Sequence, residues 1–297
     1  SKCGYAIFIC SKSCKLLYRT YFNMGPPEST GYDKKGESMI SEIILKLKKN
    51  QFLFEELVKR DFKQKYKRTA LGMAWSILSP LITLLVLNVI FSNFFGQRIP
   101  HYTIYLFCGN LLFSYFSEST NSGMNSLMAN SGIFSKVNVP KYIFLLSKNV
   151  SSLINFGLTL IIFFAFVFAE GLPFTAKFLC LLYPIGCLIV FNIGMGLILS
   201  ALFVFFRDIG YLYSILTMLI MYASAIFYSV DILPGPYQPL FLGNPIYVYI
   251  KYFREIVIDS QIPSLEYHLL CAFYAVLVLF IGGFIYKKYN HKFLYYI

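Results

Sequence analysis

Long apolar stretches separated by short charged segments dominate this sequence. Apart from the proline-rich residues 232–250, six gaps between neighbouring Asp, Glu, Lys or Arg residues hold 19 to 29 residues without any such side chain. About 20 mostly apolar residues are needed for one helix to cross a bilayer. The gaps therefore predict six transmembrane helices, at about residues 74–96, 101–119, 147–169, 178–205, 210–230 and 267–287.

Two further uncharged stretches have a different character. Residues 119–135 are rich in Ser and Asn and are too polar to be solvated by lipid. Residues 232–250 are apolar but contain four prolines and two glycines, which interrupt helical hydrogen bonding. Such backbone is tolerated at membrane depth only where it packs against protein or lines a cavity. We therefore predict an external re-entrant segment at about residues 233–262.

The residues before the first span have the pattern of an amphipathic helix. Apolar side chains recur at multiples of three or four, and basic residues occupy the other faces. The apolar positions are Ile43, Leu47, Phe54, Val58, Phe62 and Tyr66. This pattern predicts a cytoplasmic interface helix over residues 39–70. The preceding residues 1–38 have the composition of a disordered or non-native segment, and we expect the natural protein to begin near Met39.

Composition supports a membrane protein. The 297 residues are 57% hydrophobic and 13% charged, whereas an average soluble domain carries about 25% charged residues. The net charge of +12 does not point to nucleic acid, because the basic residues flank the apolar segments. The seven cysteines lack zinc spacing and form no recognisable disulfide framework, so we predict no metal site.

The distribution of Lys and Arg predicts the orientation of the spans. Cytoplasmic loops carry an excess of these residues. With the N-terminus inside, six spans leave four of the 26 basic residues outside, namely Arg98, Lys177, Lys251 and Arg254. Both termini are therefore predicted to be cytoplasmic.

The spans lack residues that several function classes need. No ionisable side chain lies at the middle of a predicted span, which disfavours an ion-coupled carrier. No GxxxxGK[ST] motif is present, so this chain does not bind a nucleotide through that motif. A membrane-embedded glycosyl or acyl transferase would need clustered acidic or His residues, which the sequence does not supply. An autonomous channel is the remaining alternative, and it leaves the basic N-terminal helix without a role.

Four segments carry motifs that occur together, in this order, in one family of membrane proteins. They are ELVKRDFKQKYKRTALGMAWSILSPLITLLVLNVIFSNFFG (residues 56–96), ALFVFFRDI (201–209), FYSVDILP (227–234) and NPIYVYIKYFREIV (244–257). The chain resembles the permease subunits of bacterial ABC exporters for O-antigen, teichoic acid and capsular polysaccharide. The resemblance covers about residues 39–297.

The resemblance implies an all-α integral membrane protein with six spans per subunit over residues 71–297. It implies a homodimer with two copies of a separate ATP-binding subunit, which would bind ATP and Mg. This chain would then be a transport permease and not an enzyme, located in the bacterial cytoplasmic (inner) membrane. The implied cargo is a lipid-linked polysaccharide; the alternative is an exporter of drugs or small lipids from the same superfamily.

The resemblance also suggests roles for particular residues. The cytoplasmic entrance is expected at Leu71, Gly72 and Trp75, where the glycine allows a bend before the first span. The best candidates for channel-lining aromatic residues are Tyr105, Phe113, Tyr115 and Tyr222. The ATPase-facing candidates are Arg60, Asp61, Lys136 and Lys141. The external gate is expected at Pro234, Pro236, Asn244 and Pro245, and the cytoplasmic end of the fourth span at Arg207 and Asp208.

Overall fold

The computed structural model of the protein describes residues 45, 48–66, 72–96, 99–134, 136–137, 139–232 and 234–296. Regular structure within these ranges is helical, and no strand occurs in them. The α-helices are α1 (Gln51–Tyr66), α2 (Trp75–Phe95), α3 (Tyr102–Met124), α4 (Ser126–Ala129), α5 (Ser131–Phe134), α6 (Tyr142–Ala169), α7 (Leu182–Phe205), α8 (Ile209–Ala223), α9 (Pro245–Val257), α10 (Leu265–Tyr289) and α11 (Phe293–Tyr296). Short 3-10 segments cover Gly72–Ala74, Ala176–Leu181, Val230–Ile232 and Gly235–Gly243.

Among the residues that the structure describes, four helical segments are long and apolar enough to cross a membrane. They are Trp75–Ser92, Tyr142–Ala169, Ala176–Phe205 and Leu265–Tyr289. The second and fifth predicted spans correspond to α3 and α8. Helix α3 has 23 residues but carries many polar side chains, and α8 has only 15 residues, fewer than a perpendicular crossing needs. The protein is therefore a helical membrane protein with several spans.

Three helix ends differ from the predicted span boundaries. The fifth span was predicted to reach residue 230, but α8 ends at Ala223. Ala225 has a φ of 49°, in the left-handed region that stops an α-helix. Helix α3 continues to Met124 and α6 begins at Tyr142, so both helices extend beyond the predicted spans 101–119 and 147–169.

Glycines bring α7 and α10 into backbone contact. A Cβ on Gly194 would lie 2.6 Å from the backbone nitrogen of Leu279, and one on Gly282 would lie 2.5 Å from the Gly194 oxygen. On another side of α7, a Cβ on Gly123 of α3 would lie 3.1 Å from the Cα of Gly196. Helix α7 therefore lies between α3 and α10.

Helix α1 packs against α6 with a side that the periodicity did not identify. Of the predicted interface helix, residues 51–66 form α1, and residues 1–38 lie outside the described residues. The most buried side chains of α1 are Leu57 and Asp61. The predicted apolar positions Phe54, Val58 and Phe62 are only half-buried. A buried carboxylate within α1 needs a cation close by, and α6 supplies one.

Three short helical pieces connect α8 to α10, namely the 3-10 segments Val230–Ile232 and Gly235–Gly243 and the helix α9. Asn244 separates the 3-10 segment Gly235–Gly243 from α9. Its side-chain oxygen accepts a hydrogen bond from the Ile246 backbone nitrogen at 3.0 Å, and Pro245 occupies the first helical position. This is a favourable N-cap followed by a favourable first residue. Most side chains of α9 are buried, including Arg254.

Candidate functional site

One side of α3 carries polar residues at helical spacing. Asn110, Ser114, Ser117, Glu118, Asn121 and Ser122 follow one another at intervals that return to the same side of a helix. We call these six residues the polar face of α3. Polar side chains at membrane depth face a cavity or another polar group, because lipid provides no hydrogen-bond partner.

Two cavities border the polar face of α3. The first has a volume of about 500 Å³ and lies between α2, α3 and α6. The second has a volume of about 460 Å³ and is bounded on its other side by Met221 of α8. Asn110, Ser114 and Glu118 line both cavities. The polar face of α3 therefore forms the wall that the two cavities share.

The neighbouring helices add their own polar positions to the first cavity. Helix α2 contributes Ser76, Ser79 and Thr83, and α6 contributes Ser152, Asn155 and Thr159. Each set has the three-then-four spacing that places side chains on one side of a helix. The sequence interpretation missed these sets, although their spacing is visible in the printed sequence.

Aromatic rings complete the first cavity. Its wall includes Trp75, Phe107, Tyr115 and Phe156, and the ring centroids of Tyr115 and Phe156 lie 4.6 Å apart. Hydroxyl and amide groups can exchange hydrogen bonds with a polyhydroxylated molecule, while ring faces contact its C–H groups. The site can bind such a molecule without a metal ion or a reactive side chain.

Lys65 and Glu118 form an ion pair in the cavity walls. The Lys65 Nζ donates to Glu118 Oε1 at 3.0 Å, and the Asn155 Nδ2 donates to the same oxygen at 2.8 Å. The Glu118 side chain is 34% exposed. Sequence analysis placed Glu118 at the end of a span, but α3 continues past it to Met124. The carboxylate therefore joins α1, α3 and α6 beside the cavities.

The structure separates the four aromatic residues that were predicted to line a channel. Tyr115 lines the first cavity and Phe113 lines the second. The Tyr105 hydroxyl instead donates to the Tyr228 backbone oxygen at 2.8 Å, and Tyr222 is exposed on α8. Polar side chains are thus a larger part of the cavity walls than the ring-lined channel of the prediction implied.

The predicted cytoplasmic entrance lies beside the first cavity. Trp75 is part of the cavity wall. Gly72 has a φ of 52°, so the bend uses the left-handed conformation that glycine adopts without strain. Leu71 lies outside the described residues.

Asp61, one of the predicted ATPase-facing residues, points into the protein. Its side chain is 2% exposed, and its Oδ1 lies 3.0 Å from the Lys148 Nζ and 2.8 Å from the Arg60 Nη2. The Ser147 Oγ donates to the other carboxylate oxygen at 3.4 Å. These contacts fasten α1 to α6. The sequence interpretation missed Lys148 as the partner.

Lys136 and Lys141, two further ATPase-facing candidates, differ in exposure. Lys136 is exposed. The Lys141 Nζ donates to the Asn290 backbone oxygen at 2.6 Å, and burial lowers the pKa of this lysine. Of the two, Lys136 is therefore the one whose side chain is available to a partner.

The remaining predicted residues lie in turns at the ends of helices. Pro234 and Pro236 are exposed before and within the 3-10 segment that precedes Asn244. Arg207 and Asp208 are exposed in the turn between α7 and α8. Asp208 occupies the N-cap position of α8, but its side chain makes no capping hydrogen bond.

The sequence profile of the ABC-2 type transporter family matches residues 53–258 of this chain. The chain belongs to the ABC-2 type transporter family. The match includes all six residues of the polar face of α3 and both cavities. The resemblance drawn from the sequence motifs is thereby confirmed.

Curated relatives cover most of the chain. The O-antigen export system permease protein RfbA of Klebsiella pneumoniae is 29% identical over 255 residues, which are 84% of this chain and 98% of that protein. The polysialic acid transport protein KpsM of Escherichia coli is 26% identical over 239 residues, or 78% of this chain and 92% of that protein. The capsule polysaccharide export inner-membrane protein CtrC of Neisseria meningitidis is 22% identical over 221 residues, or 72% and 83%.

Proposed function

We propose that this chain is the transmembrane subunit of an ABC exporter for a lipid-linked polysaccharide. The export would cross the cytoplasmic (inner) membrane of a bacterium. The observation that carries the proposal is the polar face of α3 with its two cavities, in a family member whose relatives are named for O-antigen and capsule export. The relatives' names supply the kind of cargo, and the cavities supply groups suited to it.

In this proposal α3 and α8 also cross the membrane, so each subunit has six spans and both termini are cytoplasmic. The polar face explains why α3 is less apolar than an ordinary span, since one side meets a cavity instead of lipid. Helix α1 lies at the cytoplasmic surface. Residues 233–262 enter the membrane from the external side, where Asn244 and Pro245 start the buried helix α9.

Two copies of the chain would form the channel. Exposed apolar side chains of α2 and α8 flank the polar face, including Leu85, Val89, Leu212 and Leu219. A surface this apolar is covered by lipid or by another protein. Two ATP-binding subunits would dock on the cytoplasmic side and bind ATP and Mg, and this chain itself would catalyse no reaction.

The spacing of the polar residues suggests how a polymer moves. Asn110, Ser114 and Glu118 stand about one helical turn apart, which is about 5.4 Å. A glycan that advances by a short step can therefore form a hydrogen bond with the next hydroxyl, amide or carboxylate while it loses the previous one. The new hydrogen bond offsets the loss of the old one. Conformational changes driven by ATP in the partner subunits would supply the direction.

A cavity-filling substitution tests this assignment. Ser114→Trp is expected to abolish display of the surface glycan in a host strain that lacks the natural copy, because the indole fills the shared wall of both cavities. Val276→Trp is the matched control, since Val276 is 63% exposed on α10 away from both cavities. Both variants should still co-purify with the ATP-binding subunit in equal stoichiometry.

Three results would count against the proposal. Normal glycan display by the Ser114→Trp variant would remove the polar face from the transport path. Purification of the wild-type chain without an ATP-binding subunit would contradict the exporter assignment. Loss of drug or small-lipid efflux, with surface glycan intact, would favour the other kind of exporter from the same superfamily.

A further inference from the structure

The chain that follows α8 is held by side chains from other elements. Helix α8 ends at Ala223, and the next residues form no regular helix before Val230. Arg254 of α9 donates from Nη1 to the Ala225 oxygen at 2.9 Å and from Nη2 to the Ile226 oxygen at 2.9 Å. Two successive backbone carbonyls are therefore bound by one guanidinium.

Two tyrosines of α3 bind the next two carbonyls. The Tyr102 hydroxyl donates to the Phe227 oxygen at 2.8 Å, and the Tyr105 hydroxyl donates to the Tyr228 oxygen at 2.8 Å. Four consecutive carbonyls are thus bound by three side chains. We call Tyr102, Tyr105 and Arg254, with the four carbonyls of residues 225–228, the carbonyl clamp.

Arg254 also binds α3 directly. Its Nε and Nη2 donate to the Tyr105 backbone oxygen at 3.2 and 3.1 Å, and its guanidinium carbon lies 3.4 Å from the centre of the Tyr105 ring. Gly109 leaves the room for this approach, since a Cβ there would lie 2.8 Å from Nη2. One buried side chain therefore connects α9, α3 and the chain after α8.

The last turn of α8 is fastened to the same region. The Asn244 Nδ2 donates to the Ala223 oxygen at 3.1 Å and to the Ser224 Oγ at 2.9 Å. The Tyr228 hydroxyl donates to the Tyr222 oxygen at 2.9 Å. A helix that ends inside the protein needs such partners for its final carbonyls.

The chemistry of the clamp suits a reversible contact. The described partners of the Arg254 donors are neutral carbonyls, which water or a hydroxyl can replace without separating an ion pair. The planar fork reaches several carbonyls at once, which a lysine cannot do. Because three side chains from two helices hold one short segment, they hold or release it as a unit.

We propose that the carbonyl clamp is a latch that keeps the external end of α8 against α3 and α9. Tyr102, Tyr105 and Arg254 are then positioning residues for the opening of the transport path. Met221, two residues before the end of α8, borders the second cavity, so withdrawal of this end from α3 widens that cavity. The inference rests on the proposed function for what passes through the opening.

Tyrosine hydroxyls allow the latch to be weakened without a change of shape. Tyr102→Phe, Tyr105→Phe and the double variant each remove only clamp hydrogen bonds. Tyr249→Phe is the control, because Tyr249 is buried on α9 and its hydroxyl donates to the Cys271 oxygen at 3.0 Å, outside the clamp. Arg254→Lys keeps the charge and removes the fork.

The measurement is the uptake of radiolabelled sucrose by liposomes that contain the purified complex, in the absence of ATP. Each clamp hydroxyl removed is expected to raise uptake about fivefold, the population change that corresponds to the loss of one hydrogen bond. Arg254→Lys is expected to raise it further, and Tyr249→Phe should match the wild type even where its melting temperature falls.

Other outcomes overturn the latch. If the double tyrosine variant takes up sucrose at the wild-type rate, the latch is contradicted. It is also contradicted if Tyr249→Phe takes up as much sucrose as the clamp variants, because that would indicate general loosening of the protein. The proposed function fails separately, if the wild type exports no glycan and recruits no ATP-binding subunit. In that case leaky clamp variants with a tight Tyr249→Phe control still support a latch.

Discussion

The two halves of α3 make opposite kinds of contact. From Tyr102 to Gly109 the helix is packed against α9 and against the clamped segment, and Ile104, Leu106, Phe107 and Cys108 are fully buried. From Asn110 to Ser122 it presents its polar face to two cavities. One continuous helix therefore has a fixed half and an accessible half.

The difference follows from the side chains of each half. Tyrosines, apolar residues and Gly109 allow close packing in the first half, where each buried polar group has a fixed partner. Hydroxyl and amide side chains in the second half face open volume, where partners can be exchanged. A transport site needs both properties, because exchangeable contacts guide a cargo only if the scaffold that carries them stays in place.

The largest expected effect on the accessible half comes from Asp61→Asn. This change leaves Lys148, only 19% exposed, without a carboxylate. We expect a loss of about 3 kcal/mol in the free energy of unfolding, since breaking one side of a buried pair costs about this much. Melting temperature after purification is the measurement. Helix α1, which carries Lys65 to the cavity, should lose its attachment to α6.

Glu56→Gln is the control for this prediction. Glu56 pairs with Lys59 on the exposed side of α1, where the side chains are 48% and 59% exposed. An exposed pair of this kind contributes less than about 1 kcal/mol. Equal melting of the two variants would mean that the Asp61 contacts do not hold α1 in place.

An intermediate effect is expected for two glycine substitutions of opposite sign. Gly109→Ala places a methyl group 2.8 Å from Arg254 Nη2 and 3.3 Å from the Ile226 Cα, and overpacking costs about 1–3 kcal/mol. Gly157→Ala in α6 meets nothing within 4 Å, and a helical alanine gains about 0.5–1 kcal/mol over glycine. Thermal unfolding of both variants measures the difference, and a stabilised Gly109→Ala variant would contradict tight packing of the first half.

The smallest effect on stability is expected for Ser114→Cys, which instead reports access. Ser114 is exposed to both cavities, whereas the natural Cys108 on the same helix is 0% exposed. In a background without the other cysteines, a charged methanethiosulfonate reagent should modify the Ser114→Cys variant and leave Cys108 unmodified. Mass spectrometry of the intact protein gives the extent of both reactions. Faster reaction at Cys108 would reverse the assignment of the two halves.

Local patterns predicted many features of this protein. Long uncharged gaps identified the four helices with span length and hydropathy. The spacing of Ser and Asn along α3 was also visible, but residues 101–119 were interpreted as an ordinary span and residues 119–135 as too polar for lipid, and neither as part of a cavity wall. Hydropathy alone does not distinguish a segment that lies outside the membrane from a helix that lines a cavity, because both contain polar side chains.

The sequence by itself determined a helical membrane protein, its family and the existence of a break after the fifth helix. Only the tertiary structure decided which side chains donate hydrogen bonds to the backbone carbonyls at that break, since Tyr102 and the Phe227 carbonyl are 125 positions apart. It also decided that Asp61 is buried against Lys148 and that Tyr105 belongs to the clamp. Periodicity and hydropathy depend on near neighbours, whereas a hydrogen-bond partner depends on which distant helices the packing brings together.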